Sequence, residues 1–266
     1  MKKPPKNKLN SIEKTLEILI AFAESNHELG TVELSELTGI HKATTSRILS
    51  TLLDFGIVTK NFETRKYYLG PLVYRLATTR SSQWISALVA LSKPHIDELR
   101  DRIDENISLE VWAENKTIAC YIAECKNPVR VAEMAVDVLP LHAPAGAKAI
   151  LSFISVEHVK RLLPERFPKL TENTTTTRSE FLSRLKAFNK QGYSVDNEEL
   201  YNGVYALGVP VFDQLSRPVS AVSAILPATR AVEEREAEIV NELKRTSRII
   251  SGELKKGRIS VFSVAH

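Results

Sequence analysis

The sequence predicts an α+β protein of two domains. Three helices and a hairpin come first, a linker helix follows, and a larger C-terminal domain is built on an antiparallel sheet. Three observations carry this. The chain has 266 residues, enough for two ordinary domains. Its apolar residues recur at helical spacing as far as Asp54 and alternate at strand spacing beyond Asn106. The later strands and helices do not alternate strictly, which argues against a doubly wound parallel sheet. With 43% hydrophobic and 26% charged residues, the composition excludes a mostly disordered chain, a collagen-like chain and a disulfide miniprotein. Two cysteines form no disulfide framework, so a reducing compartment is expected. No run approaches the roughly 20 apolar residues of a membrane span, and no membrane partner is expected. The basic start leads into no signal-type apolar stretch, so the expected location is the cytoplasm.

Residues 1–9, basic and carrying Pro4 and Pro5, read as a disordered arm. A helix then starts at Ser11 as N-cap, with Ile12, Leu16, Leu19, Ile20 and Ala23 on one face. Asn26 and Gly30 mark its exit. Thr31 caps a short helix to Thr38, with Val32, Leu34 and Leu37 as its apolar residues and Gly39 ending it. A third helix buries Ile48, Leu49, Leu52 and Leu53 and stops at Phe55-Gly56. Ile57–Lys60 and Arg65–Leu69 are β-prone around the turn-like Asn61–Thr64. Helix, short helix, turn, helix, hairpin is the winged helix-turn-helix order, here over residues 10–70. Residues 71–92 read as a linker helix interrupted by polar Thr78–Ser82. The C-terminal domain takes residues 93–257 and opens with a helix from Pro94 to Ile103. A hairpin follows, Ile107–Ala113 and Thr117–Ala123 about Glu114-Asn115-Lys116, then a third strand, Val129–Met134. Ala143–Ser155 reads as a loop entering a helix. Val156–Leu163 and Ser179–Lys190 are helices. Strands follow at Val195, Val204–Val211 and Val219–Leu226. A helix over Val232–Leu254 closes the domain, and residues 258–266 are a tail.

Charge is uneven. Residues 1–80 hold 12 Lys and Arg against 8 Asp and Glu, and the remainder of the chain holds 24 of each. The whole excess of +4 thus lies beside the winged unit, as neutralising phosphates requires. His41–Arg47 opens the third helix, where a recognition helix meets the major groove. Lys42 suits phosphate, Thr44 and Thr45 offer hydroxyls and methyls, and Arg47 reaches a guanine edge or a phosphate. Ala43 reads as a packing residue. Lys60, Arg65 and Lys66 equip the wing for backbone or minor-groove contact.

These segments resemble the IclR family of bacterial transcription regulators. Thr31–Gly56 looks like its winged helix-turn-helix. Leu141-His-Ala-Pro-Ala-Gly-Ala-Lys-Ala-Ile-Leu151 looks like its effector-domain loop and helix. Gly192-Tyr-Ser-Val-Asp-Asn-Glu-Glu199, Gly203–Pro210 and Phe212-Asp213 look like its third landmark. The resemblance covers nearly all of residues 10–255. It implies a dimeric or tetrameric repressor or activator whose GAF-like C-terminal domain binds a small organic acid. By that match the effector residues are Ala145, Gly146 and Ala147 on the loop, and Asp196, Val204, Ala206, Ser223 and Ile225 from later strands. Val131 and Met134 would form an apolar wall. The sequence departs from the pattern where Ala147 separates Gly146 from Lys148, at Asp137, and at Ala206. A loop of small residues entering a helix also exposes backbone N–H groups at its positive end, which suits an anion. Lys148 reads as facing solvent or an interface.

Catalytic signatures are absent: no G-x-S-x-G, H-E-x-x-H, P-loop or G-x-G-x-x-G. Cys120 and Cys125 would face opposite sides of a strand and could not chelate together. His142 has no assignable nucleophile, and Glu198 and Glu199 diverge whether on strand or helix. No cofactor, metal site or catalytic residue is expected. The expected partners are a palindromic double-stranded DNA operator, a small carboxylate effector and further copies of the chain in a homodimer or tetramer. One alternative keeps the DNA binding and gives the C-terminal domain oligomerisation alone. Another is a small-molecule sensor that acts on a partner protein.

Overall fold

The computed structural model describes residues 10–25, 27–77, 83–113, 116–132 and 140–256. The expectations for the arm, Asn26, Thr78–Ser82, the Glu114-Asn115 turn, Met134 and the tail lie outside these residues. The chain divides into two compact units, 1–83 and 84–266.

The first unit contains α1 (Asn10–Glu24), α2 (Thr31–Thr38), α3 (Lys42–Asp54), β1 (Val58–Lys60), β2 (Tyr67–Leu69) and α4 (Pro71–Ala77). Ile18, Phe22, Leu34, Leu49, Leu52 and Val58 make its core. The wing is the antiparallel β1–β2 pair, and Leu29 exchanges two backbone hydrogen bonds of 2.9 Å with Tyr67. Asn61 and Thr64 brace the turn by donating to the Glu28 carboxylate. Gly30, not Thr31, is the N-cap of α2, and Glu33 accepts its N–H at 2.6 Å.

The face expected of α1 is not the one it buries. Ile18, Ala21 and Phe22 are buried, while Ile12 and Leu16 are about half exposed, at 52% and 53%. α1 carries apolar side chains around most of its circumference, so spacing alone cannot select a face. The turn that holds Phe22, the largest of them, is the one that packs. We therefore expect Ile18→Val to cost about 0.5–1.5 kcal/mol and Ile20→Val nothing measurable in denaturant melts. Equal costs would put the unit's core elsewhere.

The second unit contains α5 (Gln83–Ile103), β3 (Asn106–Ala113), β4 (Lys116–Ala123), α6 (Ala145–Leu151), α7 (Val156–Leu162), α8 (Arg178–Gln191), β5 (Ser194–Asn197), β6 (Val204–Phe212), β7 (Pro218–Pro227) and α9 (Glu233–Lys255). The strands form one sheet in the order β4-β3-β7-β6-β5, antiparallel throughout. Alternation sends Ile107, Leu109, Leu207, Val222 and Ala224 to a face packed with Leu99, Ile103, Leu243 and Ile250 of α5 and α9. The other face lies under α6, with α8 packed outside it through Phe181, Leu185 and Phe188 against Ala147 and Leu151.

Two expectations change here. α5 runs unbroken through Pro94, because Pro94 and Ala90 are both exposed and water can take the carbonyl that the proline frees. Residues 129–132 are not a strand. Side chains satisfy their backbone instead: Asn106 donates to the Val131 carbonyl at 2.9 Å and Arg230 to that of Val129 at 2.6 Å.

Candidate functional site

The reading surface begins with what α3 leaves outside. Its N-cap His41 accepts the Ala43 N–H at 3.3 Å, and Thr45, Leu49 and Leu52 turn inward. Lys42, Ala43, Ser46 and Arg47 are exposed and Thr44 is half-buried. Thr45 is thereby removed from the expected contacts. It is fully buried, and its hydroxyl donates to the carbonyls of Ile40 at 3.2 Å and His41 at 3.4 Å, which fixes the turn before α3. Ala43, expected to pack, stands on the outer row instead.

Arg47 lines a groove of about 510 Å³ with Ser11, Thr15, Thr44, Ser50 and Thr51. Hydroxyls of α1 and α3 and one guanidinium therefore converge on one surface, a combination suited to phosphate oxygens. No motif marked Ser11, Thr15 or Ser50 as contacts; the packing of α1 beside α3 brings Ser11 and Thr15 to Arg47, and Ser50 lies one turn further along α3. On the wing, Arg65 is exposed at the turn, with a left-handed φ of 57°. Lys60 stands 5.3 Å over the Tyr67 ring. Lys66 is bound to Glu33 at 2.8 Å, so its charge is partly committed within the unit.

The second candidate surface is the sheet face under α6. Register aligns Asn106, Ile225, Ala206 and Asp196 in one row across β3, β7, β6 and β5. The next row on the same face is Ser108, Ser223, Gly208 and Ser194. The residues taken from distant strands thus share one face. Val204 is half-buried on it, at the start of β6 opposite Pro227. Val131 meets it through its backbone carbonyl, held by Asn106.

Ala145, Gly146 and Ala147 are the first turn of α6 rather than a loop, and all three are buried. The helix sits close to the sheet because Gly208 has no side chain: a Cβ there would stand 2.8 Å from the Ala145 carbonyl. Ser194 donates to that same carbonyl oxygen at 2.6 Å. Four members of this face escaped the sequence reading: Asn106, Ser108, Glu110 and Ser194. Each is a polar residue at an inward strand position, a signal visible only once the face is known to be covered.

Asp196 closes a tight turn, its Oδ1 accepting the N–H groups of Glu199 at 2.8 Å and Leu200 at 3.3 Å. Burial pushes its carboxyl up to about 6, against a pull from Lys148. The folded value lies above the unfolded 3.8, so the native state holds the extra proton. Stability then falls as pH rises from about 4 to about 6 and levels off above. Asp196→Asn keeps an acceptor oxygen and removes the proton. We expect the variant to gain on wild type across that window, by up to about 3 kcal/mol at neutral pH. Denaturant melts at pH 4.5 and 7.5 read this, and a wild type that gained on the variant toward neutrality would refute it.

Lys148 does not face solvent. It is 0% exposed, and its ammonium donates to Glu199 Oε1 at 2.6 Å. Arg184 binds the same carboxylate with both terminal nitrogens, at 2.8 and 2.7 Å. His142 is stacked on Phe167 at 4.7 Å, and burial holds its imidazole below the usual value. Cys120 and Cys125 are free thiols. Among the described residues, no group of three His, Cys, Asp or Glu is placed to hold a metal. No described helix is long and apolar enough to cross a membrane.

The comparisons agree with this layout. A family model described as the IclR helix-turn-helix domain matches residues 11–61. One described as the bacterial transcriptional regulator IclR C-terminal domain matches residues 85–252. The HTH-type transcriptional regulator Rv1719 of Mycobacterium tuberculosis is 30% identical over 87% of this chain and 87% of its own. The HTH-type transcriptional regulator KdgR of Escherichia coli is 29% identical over 92% of this chain and 93% of its own. Among solved structures, an IclR homologue from Microbacterium hydrocarbonoxydans, complexed with 4-hydroxybenzoate, superposes with a TM-score of 0.72. It is 19% identical, and the match covers 93% of this chain and 100% of that one.

Proposed function

The chain belongs to the IclR family of DNA-binding transcriptional regulators, and from that premise we propose that a small carboxylate bound to its C-terminal unit controls its affinity for a palindromic operator. The protein acts in the cytoplasm as a homodimer or a dimer of dimers, held by the linker helix and the C-terminal units. Two copies of α3 read two half-sites. Lys42, Thr44 and Arg47 contact the operator from α3, and Lys60, Arg65 and Lys66 from the wing. The effector lies against Ala145, Gly146 and Ala147, with Asp196, Val204, Ala206, Ser223, Ile225 and Val131 around it. It acts through its different affinities for the DNA-competent and DNA-incompetent arrangements.

The observation that carries the effector reading is the convergence of Asp196, Ala206, Ser223 and Ile225, drawn from three strands, on the sheet face that α6 covers. That the Microbacterium homologue was solved with 4-hydroxybenzoate supports a carboxylate as the chemistry.

Selection from random duplex DNA with the full chain tests the reading. A two-fold symmetric site is expected, with half-sites one helical turn or a multiple apart. Its occupancy should change when a carboxylate panel is added. Absence of any enriched site would overturn the regulator mechanism as drawn. An operator that no carboxylate affects would leave a C-terminal unit that only oligomerises.

A further inference from the structure

Glu110 stands on the same face and no motif pointed to it. It is 6% exposed. Its carboxyl lies flat on the backbone of α6, since a Cβ on Gly146 would stand 2.2 to 2.3 Å from Oε1, Oε2 and Cδ alike. Glycine at 146 is thus what lets a carboxyl lie against the first helical turn. Oε1 accepts the hydroxyls of Ser223 at 2.8 Å and Ser108 at 3.2 Å. Oε2 is sealed from solvent and has no hydrogen-bond partner among the described residues. Buried polar atoms usually have one, so Oε2 is the oxygen of this carboxyl left free to make a further hydrogen bond.

The charges around it decide which atom. From β5, Asp196 adds a like charge. From β4 comes Cys120, a neutral thiol that burial pushes up to about 12. From α6 the only charged group is Lys148, and Glu199 holds its ammonium. β7 contributes hydroxyls. Burial raises the Glu110 carboxyl, and only the two serines pull against it. A carboxyl in such a setting stays neutral and donates a hydrogen bond.

We propose that Glu110 is the residue that reads the effector's carboxylate: it keeps its proton, and its Oε2–H donates a hydrogen bond to an anionic oxygen of the ligand. This rests on the effector reading above. It explains how a face that holds, among the described residues, two acids and no uncommitted cation accepts an anion. The ligand meets a neutral donor, and the serines on Oε1 leave Oε2 as the oxygen that carries the proton. Ionisation of Glu110 would replace the hydrogen bond with like-charge repulsion. Effector affinity therefore falls as pH rises through the titration of Glu110, toward tenfold per pH unit in the alkaline limb.

The test is titration calorimetry of the full chain from pH 5.5 to 8.5 with acetate, pyruvate, benzoate, 4-hydroxybenzoate and gluconate. Wild-type affinity for each acid should hold while Glu110 keeps its proton and fall with pH where it ionises. Glu110→Gln keeps an N–H donor at the same place and should bind the same acids with a shallower pH dependence, the remainder coming from Asp196 near pH 6. Glu110→Leu should weaken them at least tenfold, and melting curves check that both variants fold. If Glu110→Leu does not fold, the profile of Glu110→Gln decides. An unchanged slope in Glu110→Gln would overturn the proposal and point to Asp196. Wild-type affinity that rises with pH, or wild-type affinity in Glu110→Leu, would overturn it while leaving the effector reading intact. If no acid binds the wild type at any pH, the carboxylate reading fails and this one falls with it.

Discussion

Replacing Glu199 by alanine will destabilise the C-terminal unit by about 3–5 kcal/mol, the cost of leaving one partner of a buried ion pair uncompensated. Lys148 is fully buried and Glu199 is 1% exposed, so water cannot replace the lost carboxylate. The same residue also carries Arg184, whose second contact is Thr175 Oγ1 at 2.6 Å. Its backbone carbonyl accepts the hydroxyl of Thr174 at 2.7 Å. One carboxylate therefore joins α6, α8 and the turn after β5. At about 2–4 °C per kcal/mol for a unit of this size, the melting temperature should drop by roughly 6–20 °C. Burial already holds the Lys148 ammonium below its usual range, and loss of Glu199 would drive it toward the neutral amine. A double variant, Lys148→Met with Glu199→Leu, removes both charges and should cost less than Glu199→Ala alone, since apolar replacements of buried pairs are often nearly neutral. If Glu199→Ala melted within 1 °C of wild type, the pair would not be the tie between these elements.

Arg47→Ala will weaken operator binding by about 1–3 kcal/mol, roughly 5- to 150-fold, and leave effector binding unchanged. The side chain is exposed on α3 and lines the hydroxyl-bearing groove beside α1, so its removal disturbs no core. Two patterns of loss are distinguishable. If Arg47 reads a base edge, one operator position will lose discrimination. If it binds phosphate, affinity will fall evenly across sequences and the salt dependence will drop by about one ion. Thr45→Val is the contrasting change. It removes a buried hydroxyl bonded to Ile40 and His41, so it should lower the stability of the unit without altering base preference. Wild-type operator affinity for Arg47→Ala at fixed salt would mean that α3 does not read the site through this residue.

Much of the architecture was legible because it depends on short-range patterns. Strands β3, β4, β6 and β7 and helices α6 to α9 lie within a few residues of where periodicity and caps set them, since local alternation and turn chemistry are written in consecutive residues. The misplaced readings share a different cause. The apolar residues of α1 fit two faces, and only Phe22 settling into the core chose between them. Residues 129–132 have strand-like composition, but Asn106 and Arg230 supply their backbone partners from elsewhere. Pro94 does not end its helix, because Ala90 and Pro94 are exposed and water can serve the carbonyl it frees.

The sequence by itself determined the winged helix-turn-helix order, the antiparallel α+β unit, the basic bias of the first third and the residues at the start of α3. These follow from spacing, composition and the positions of turn residues, all properties of neighbours along the chain. Which side chains face each other was decided only by tertiary structure. Lys148 and Glu199 are 51 residues apart, and Glu110 meets Ser223 across 113. Neither pair has a local signature. A lysine in a helix and a glutamate in a strand read as solvated until a second layer covers them. Burial then removes water as the competing partner, so that pairing, protonation and the choice of glycine beneath a carboxyl become matters of folding energy.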